Sequence, residues 1–197
     1  MLDNLEYVKL DSAYVSRDVL QTFDCGHPDF NEFLRNDAIN FNDNGKGITY
    51  ILVDSSEFKN QNITAIFAFA TIQTSSLQYV DDEDLLRSVS SVEIKYFAIA
   101  KRFQRQVAWT INNNKYYSTL FLEWFLVDLY YMSTAVIGFR AIFLRANKNG
   151  EKLYRRKNFM NVTKYSIPFD EDDPLGKCIP MCLVIEENLY SIFGEDE

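Results

Sequence analysis

One histidine, three cysteines and seven glycines occur in 197 residues, and each scarcity closes off some chemistry. A serine or cysteine nucleophile that relies on histidine would have His27 as its single base. That residue sits in "DCGHPDF", a turn that opens a helix, where a surface or capping role is expected. Cys25, Cys178 and Cys182 cannot all pair within one chain, and their spacing fits neither a CxxC redox pair nor a zinc-ligand series. Reduced structural thiols and no metal are expected. Net positive charge is also missing. Lys and Arg number 20 against 28 Asp and Glu, a formal charge of -8, which argues against a broad non-specific nucleic-acid footprint while allowing a local basic patch. Long apolar runs are interrupted: "STLFLEWFLVDLYYMSTAVIGF" carries Glu123 and Asp128, well short of the roughly 18 clean residues of a membrane span. No signal-like series opens the chain, so a soluble, cytoplasmic protein is expected.

Aromatic residues are plentiful, with 16 Phe and 12 Tyr in a chain that is 47% hydrophobic. A chain of this size buries about two-thirds or more of its unfolded surface, and one domain over residues 1–197 is expected. "LEYVKLD" alternates apolar and polar positions and predicts a first strand. "HPDFNEFLRNDAINF" predicts an amphipathic helix, with Pro28 suited to its first turn. "DNGKG" breaks the chain, and "ITYILVD" and "ITAIFAFATIQT" predict an antiparallel hairpin across the polar "SSEFKNQN". "DDEDLLRSV" reads equally as a short helix or a solvated loop.

"SSVEIKYFAIA" predicts a strand with Val92, Ile94, Tyr96 and Ala98 on one face and Phe97 and Ile99 on the other. Dense apolar residues from Ser118 to Ala135 predict a long buried helix, and "FRAIFLRA" a strand buried on both faces. A helix between two such strands implies a parallel βαβ crossover. "KNGEKLYRRKN" supplies a further helix, "FMNVTKYSIP" leads into another strand, and "IPMCLVIEE" is the last. The order gives an α/β or α+β domain with a mixed sheet covered by helices.

Two words in this order resemble the GNAT N-acyltransferase superfamily. Residues 91–160 are similar to its acyl-CoA-binding half, in which a helix carries a pattern close to Asn-x-x-Ala-x-x-x-Tyr-x-x-x-Gly-Phe. The matching positions are Asn147, Gly150, Tyr154, Asn158 and Phe159. Asn158 replaces a helix-ending glycine, and Asn also tolerates a left-handed cap. "TFDCGHPDFNEFLRNDA", residues 22–38, resembles a word near the start of a subgroup that includes acetyltransferase toxins of toxin-antitoxin pairs. The resemblance implies a mixed, mostly antiparallel central sheet of six to seven strands flanked by helices on both faces.

Family members hold the acyl-CoA pyrophosphate with Gln/Arg-x-x-Gly-x-Gly/Ala, whose glycines let backbone N–H groups approach it. This chain lacks that fingerprint. With Gln104 aligned to the family glutamine, the glycine positions fall on Val107 and Trp109. With the alignment anchored on the helix start at Ser118 instead, Thr110 to Asn114 form an expanded loop. Asn112, Asn113, Asn114 and Lys115 then offer donors, and Lys101, Arg102, Arg105 or Lys115 supplies charge.

The resemblance implies acetyl-CoA as co-substrate and an N-acetyltransferase reaction by direct attack of an amine on the thioester. Tyr154 is implied as the proton donor to the departing thiolate. Glu93 is a candidate base acting through water, with an edge or surface glutamate as its plain alternative. Implied cofactor contacts are Phe97 and Ile99, through backbone groups that pair with the pantetheine arm as an added strand would, and Gln104, Arg105, Gln106, Asn114, Lys115, Ser118 and Asn147. The acceptor stays open among a small molecule, a protein and aminoacyl-tRNA. A homodimer, an antitoxin partner and a catalytically silent interaction module stay open as well.

Overall fold

The computed structural model describes residues 4–80, 83–109, 114–163 and 177–185, without the side chains of residues 79, 80, 109 and 114. Its first strand, β1 (Leu5–Lys9), pairs antiparallel with β2 (Ile48–Asp54), Leu5 opposite Asp54 and Lys9 opposite Tyr50. Between them lie α1 (Arg17–Thr22) and one continuous helical stretch: α2 (Pro28–Glu32), a π-turn over Phe33–Asp37, and α3 (Ala38–Asp43). Pro28 occupies the first turn, as its missing N–H allows. In the π-turn the Ala38 N–H reaches back to the Phe33 carbonyl.

Two short helices are corrections to the sequence reading. In α1 the Ser16 hydroxyl caps the Val19 N–H. In α4 (Ser55–Lys59), inside the stretch read as a polar link, Asp54 caps Ser56 and Glu57. Asp54 with Glu57 three residues on is a capping-box signal that could have located α4.

The expected hairpin forms, with β2 antiparallel to β3 (Ala68–Val80) from Ile48–Ile72 to Leu52–Ala68. β4 (Leu86–Ile99) is longer than predicted. Leu86 to Val89, read as helix or solvated loop, belong to the strand, because the neighbouring strand offers ladder partners that local propensity does not reveal; Asp81 and Asp82 lie outside the described residues. α5 (Tyr117–Ala135) and β7 (Ala141–Ala146) follow the prediction closely, and β7 is parallel to β4 from Ser91–Ala141 to Ile94–Leu144. The chain also contains β5 (Val107–Trp109), β6 (Asn114–Tyr116), α6 (Glu151–Arg155), β8 (Met160–Asn161) and β9 (Ile179–Val184). Seven strands follow the order β1-β2-β3-β4-β7-β9-β8, and β5 and β6 form a separate ribbon. The main sheet is mixed and mostly antiparallel.

The described residues of Met1–Gln73 with Tyr96–Phe125 form one compact unit, and those of Thr74–Lys95 with Leu126–Glu197 form another. In the first, alternation along the strands feeds two cores. Ile51, Val53, Phe69 and Ala98 join Leu20, Phe23, Phe33 and Leu34 of the early helices. Leu52, Ala68 and Ile99, one residue out of phase, join Leu120 and Phe121 of α5. The predicted division of β4 therefore holds, with Tyr96 packing on the first core and Phe97 on the second. Phe69 and Phe121 are fully buried, each contributing about 1.5–3 kcal/mol relative to exposure. In the second unit, Ile142 and Leu144 of β7 and Met181 and Leu183 of β9 are buried. No helix among the described residues is long and apolar enough to cross a membrane.

Candidate active site

The "FDCG" word folds as a turn whose backbone is almost wholly committed. Asp24 Oδ1 accepts from the Gly26 N–H at 2.7 Å and from Asn31 Nδ2 at 2.9 Å. Asn31 Oδ1 in turn accepts from the Cys25 N–H at 2.9 Å. Gly26 takes φ +79, which explains glycine there. These hydrogen bonds, with Lys101 and Arg35 adding smaller charge effects, hold the Asp24 carboxyl below its ordinary range. The carbonyls of Phe23, Asp24 and Cys25 each accept from another segment: Arg35 Nη2 at 2.6 Å, the Lys101 N–H at 2.8 Å and Gln104 Nε2 at 2.7 Å.

None of the three cysteines is in a disulfide. Burial pushes the Cys25 thiol up and that of Cys182 to about 11, so neither is a thiolate at neutral pH. His27 precedes the first turn of α2 without a side-chain cap bond, its ring 4.8 Å from that of Phe30.

After β4 the chain makes a 3-10 turn over Lys101–Phe103, and Lys101, Arg102, Arg105 and Gln106 are exposed. Arg102 lies over the stacked rings of Phe67 and Phe103, 5.3 and 5.0 Å from their centroids. Arg105 takes φ +57. Its backbone keeps a conformation that glycine adopts easily and that costs a larger residue about 1–2 kcal/mol.

The expected expanded loop is a β-ribbon in its described part, with Val107 opposite Tyr116 and Trp109 opposite Asn114. Thr110 to Asn113, including Asn112 and Asn113, lie outside the described residues, as do the side chains of Trp109 and Asn114. The ribbon's base is closed by the Tyr117 N–H donating to the Gln106 carbonyl at 3.0 Å. Lys115 Nζ is 3.3 Å from Oε1 of Glu123, which is buried in α5, so that lysine ties ribbon to helix. Ser118 is half-buried in the first turn of α5. The sequence signal for the ribbon was weak: three-residue strands are too short for periodicity to register.

In the second unit, Asn147 Oδ1 accepts from the N–H groups of Asn149 and Gly150 at 3.1 and 2.8 Å, organising the entry to α6. Tyr154 is buried, its ring 5.6 Å from that of Phe159, and burial raises its phenol well above the ordinary value of 10.0. A Cβ on Gly150 would come within 3.0 Å of Tyr154 Cε2, so the glycine makes room for the ring. Asn158 has φ +60, and the Phe159 N–H bonds the Tyr154 carbonyl at 3.1 Å, the left-handed cap expected from the sequence. Asn158→Gly should therefore hold the thermal midpoint nearly constant. Asn158→Val, β-branched at positive φ, should cost about 1–2 kcal/mol in a denaturant titration.

Glu93 Oε1 lies 3.8 Å from Arg145 Nε, with both side chains largely buried. Phe97 and Ile99 lie beyond the stretch of β4 that pairs with β7, which ends at Ile94.

No protein-family model and no curated protein matches the chain. Solved structures do. The chain is 19% identical to a Tyr-to-Phe mutant of the AtaT toxin bound to the C-terminus of the antitoxin AtaR and acetyl-CoA, over 92% of this chain and 94% of that one, with a TM-score of 0.62. A structure described as a bacterial toxin is 16% identical over 98% and 97%, TM-score 0.70. AtaT complexed with acetyl-methionyl-tRNAfMet is 19% identical over 91% and 94%, TM-score 0.62. The chain has the fold of the GNAT acetyltransferase toxins.

Proposed function

We propose that this protein is an acetyl-CoA-dependent N-acetyltransferase. The reading is carried by Tyr154: a buried, neutral phenol on a helix whose entry, ring seat and left-handed exit are all shaped by the matched residues Asn147, Gly150 and Asn158. A fold shared with a toxin bound to acetyl-CoA supports it.

In the proposed reaction a neutral amine attacks the thioester carbonyl, the C–S bond breaks, and the proton lost by nitrogen ends on sulfur. A coenzyme thiol resembles cysteine, with a pKa of about 8.5. A phenol held above its ordinary value therefore favours donating a hydrogen bond as charge develops on sulfur over giving up its proton outright. Glu93 is assigned to collect the amine proton through water. The Phe97–Ile99 segment would offer backbone groups to the pantetheine arm. The turn carrying Gln104, Arg105 and Gln106, with Asn114, Lys115 and Ser118 behind it, would receive the phosphates, Lys101 and Arg102 adding charge. Asn147 acts by fixing α6.

Aminoacyl-tRNA as the acceptor is supported by AtaT in complex with acetyl-methionyl-tRNAfMet, and an antitoxin partner by AtaT bound to AtaR. The charge of -8 confines tRNA contact to local basic stretches such as Lys101–Arg105. Isothermal titration of the purified protein with acetyl-CoA should give a micromolar dissociation constant. No heat at high micromolar acetyl-CoA would remove the proposal.

A further inference from the structure

Gln104 was expected to touch the cofactor, but its side chain is already engaged. Nε2 donates at 2.7 Å to the carbonyl of Cys25 and at 2.9 Å to that of Ile99. An amide NH2 has two protons, and both are used on backbone acceptors from two segments. The same turn is fastened a second time, because the Lys101 N–H donates to the Asp24 carbonyl at 2.8 Å. Between these fastenings lie Arg102, steadied over Phe67 and Phe103, and next to them Arg105, held at φ +57. A residue kept at positive φ persists where its surroundings over-determine the backbone, and the Gln104 latch is the restraint adjacent to it.

We infer that Gln104 is a positioning residue, which clamps the basic turn Lys101–Gln106 to the "FDCG" turn and so pre-organises it for the phosphates of acetyl-CoA without contacting them. This rests on the acetyl-CoA reading above. A glycine-rich loop achieves close approach through its lack of side chains. Here the equivalent order comes from a side-chain amide that bridges two carbonyls, and affinity depends on that order being present before the ligand arrives.

The test compares wild type, Gln104→Leu and a control, Asn42→Ala. Asn42 makes a similar double latch elsewhere in the same unit, to the Leu10 carbonyl and the Thr49 N–H. Loss of the Gln104 latch should weaken acetyl-CoA binding about ten-fold, the cost of one to two net hydrogen bonds. The control should bind like wild type although it loses comparable stability. Hydrogen exchange supplies a second readout. Acetyl-CoA should slow exchange over both residues 101–106 and residues 24–26 in wild type, but over residues 101–106 alone in Gln104→Leu. If Gln104→Leu does not fold, Gln104→Asn, polar but too short to span both carbonyls, replaces it with the same expectation. Equal affinity of wild type and the Gln104 variant overturns the positioning role and leaves the acetyltransferase reading standing. A wild-type protein that does not bind acetyl-CoA overturns both.

Discussion

Tyr154→Phe is expected to cut acetyl transfer by about 10²–10⁴-fold while acetyl-CoA binds within two-fold of wild type. The expectation follows from what the substitution removes. Phenylalanine keeps the ring that fits over Gly150 and against Phe159, so the packing of α6 persists and the thermal midpoint should barely move. Only the hydroxyl is lost, and with it the donor to the departing sulfur. An interaction made mainly in the transition state lowers kcat and leaves ground-state binding alone. The measurement is release of free thiol from acetyl-CoA in the presence of an amine acceptor, together with a binding titration of the variant. Because burial holds the phenol above its ordinary value of 10.0, the Tyr154-dependent rate should stay level up to about pH 10. The same shift has a consequence for stability: its contribution is complete below pH 10 and is lost as the pH climbs above it, where the unfolded chain ionises first. A variant that keeps the wild-type rate would assign Tyr154 to packing alone.

Gly47→Ala should destabilise the fold by at least about 3 kcal/mol, toward the severe end for a single methyl group. A Cβ at this position would lie 2.4 Å from the Ile72 carbonyl oxygen and 2.5 Å from Phe41 Cε1. The oxygen belongs to β3, whose Ile72 pairs with Ile48, the residue after the glycine. Relief therefore requires displacing a ladder strand, and Phe41 is itself braced by Phe33 at 5.7 Å. Gly45, two residues earlier, provides the contrast. It has φ +65 with nothing within 4 Å of its would-be Cβ, so Gly45→Ala should cost only the left-handed penalty of about 1–2 kcal/mol. Urea unfolding of both variants checks the pair. The prediction fails if Gly47→Ala proves the milder of the two. Against a typical total stability of about 5–15 kcal/mol, the difference decides whether the variant can be purified.

Elements legible in advance were those with dense local signals. The apolar run from Ser118 predicted α5 to within one residue of its start at Tyr117, because a buried helix of five turns repeats its signal many times. Asn158 was legible because only Asn or Gly sits comfortably at that cap. The faces of β4 followed from simple alternation. The ribbon of β5 and β6 was not legible, since each strand has three residues and its pairing is a property of the two together. Nor was the pairing of Lys115 with the buried Glu123, which only the folded backbone brings together. "DNGKG" gave the place of a break, yet the two glycines do different things there, one bending the chain and the other standing aside for a carbonyl.

By itself, then, the sequence determined where the longer helices and strands run, which strand faces are apolar, and which helix carries the candidate tyrosine, because period, capping and φ preference act within a few residues. The tertiary structure alone decided what Gln104 does, since the carbonyl it grips belongs to a residue 79 positions away. It likewise decided why Gly47 must be glycine. Distance along the chain carries no information about which donor will find which acceptor, and only the folded backbone brings such groups within three ångströms or so of each other.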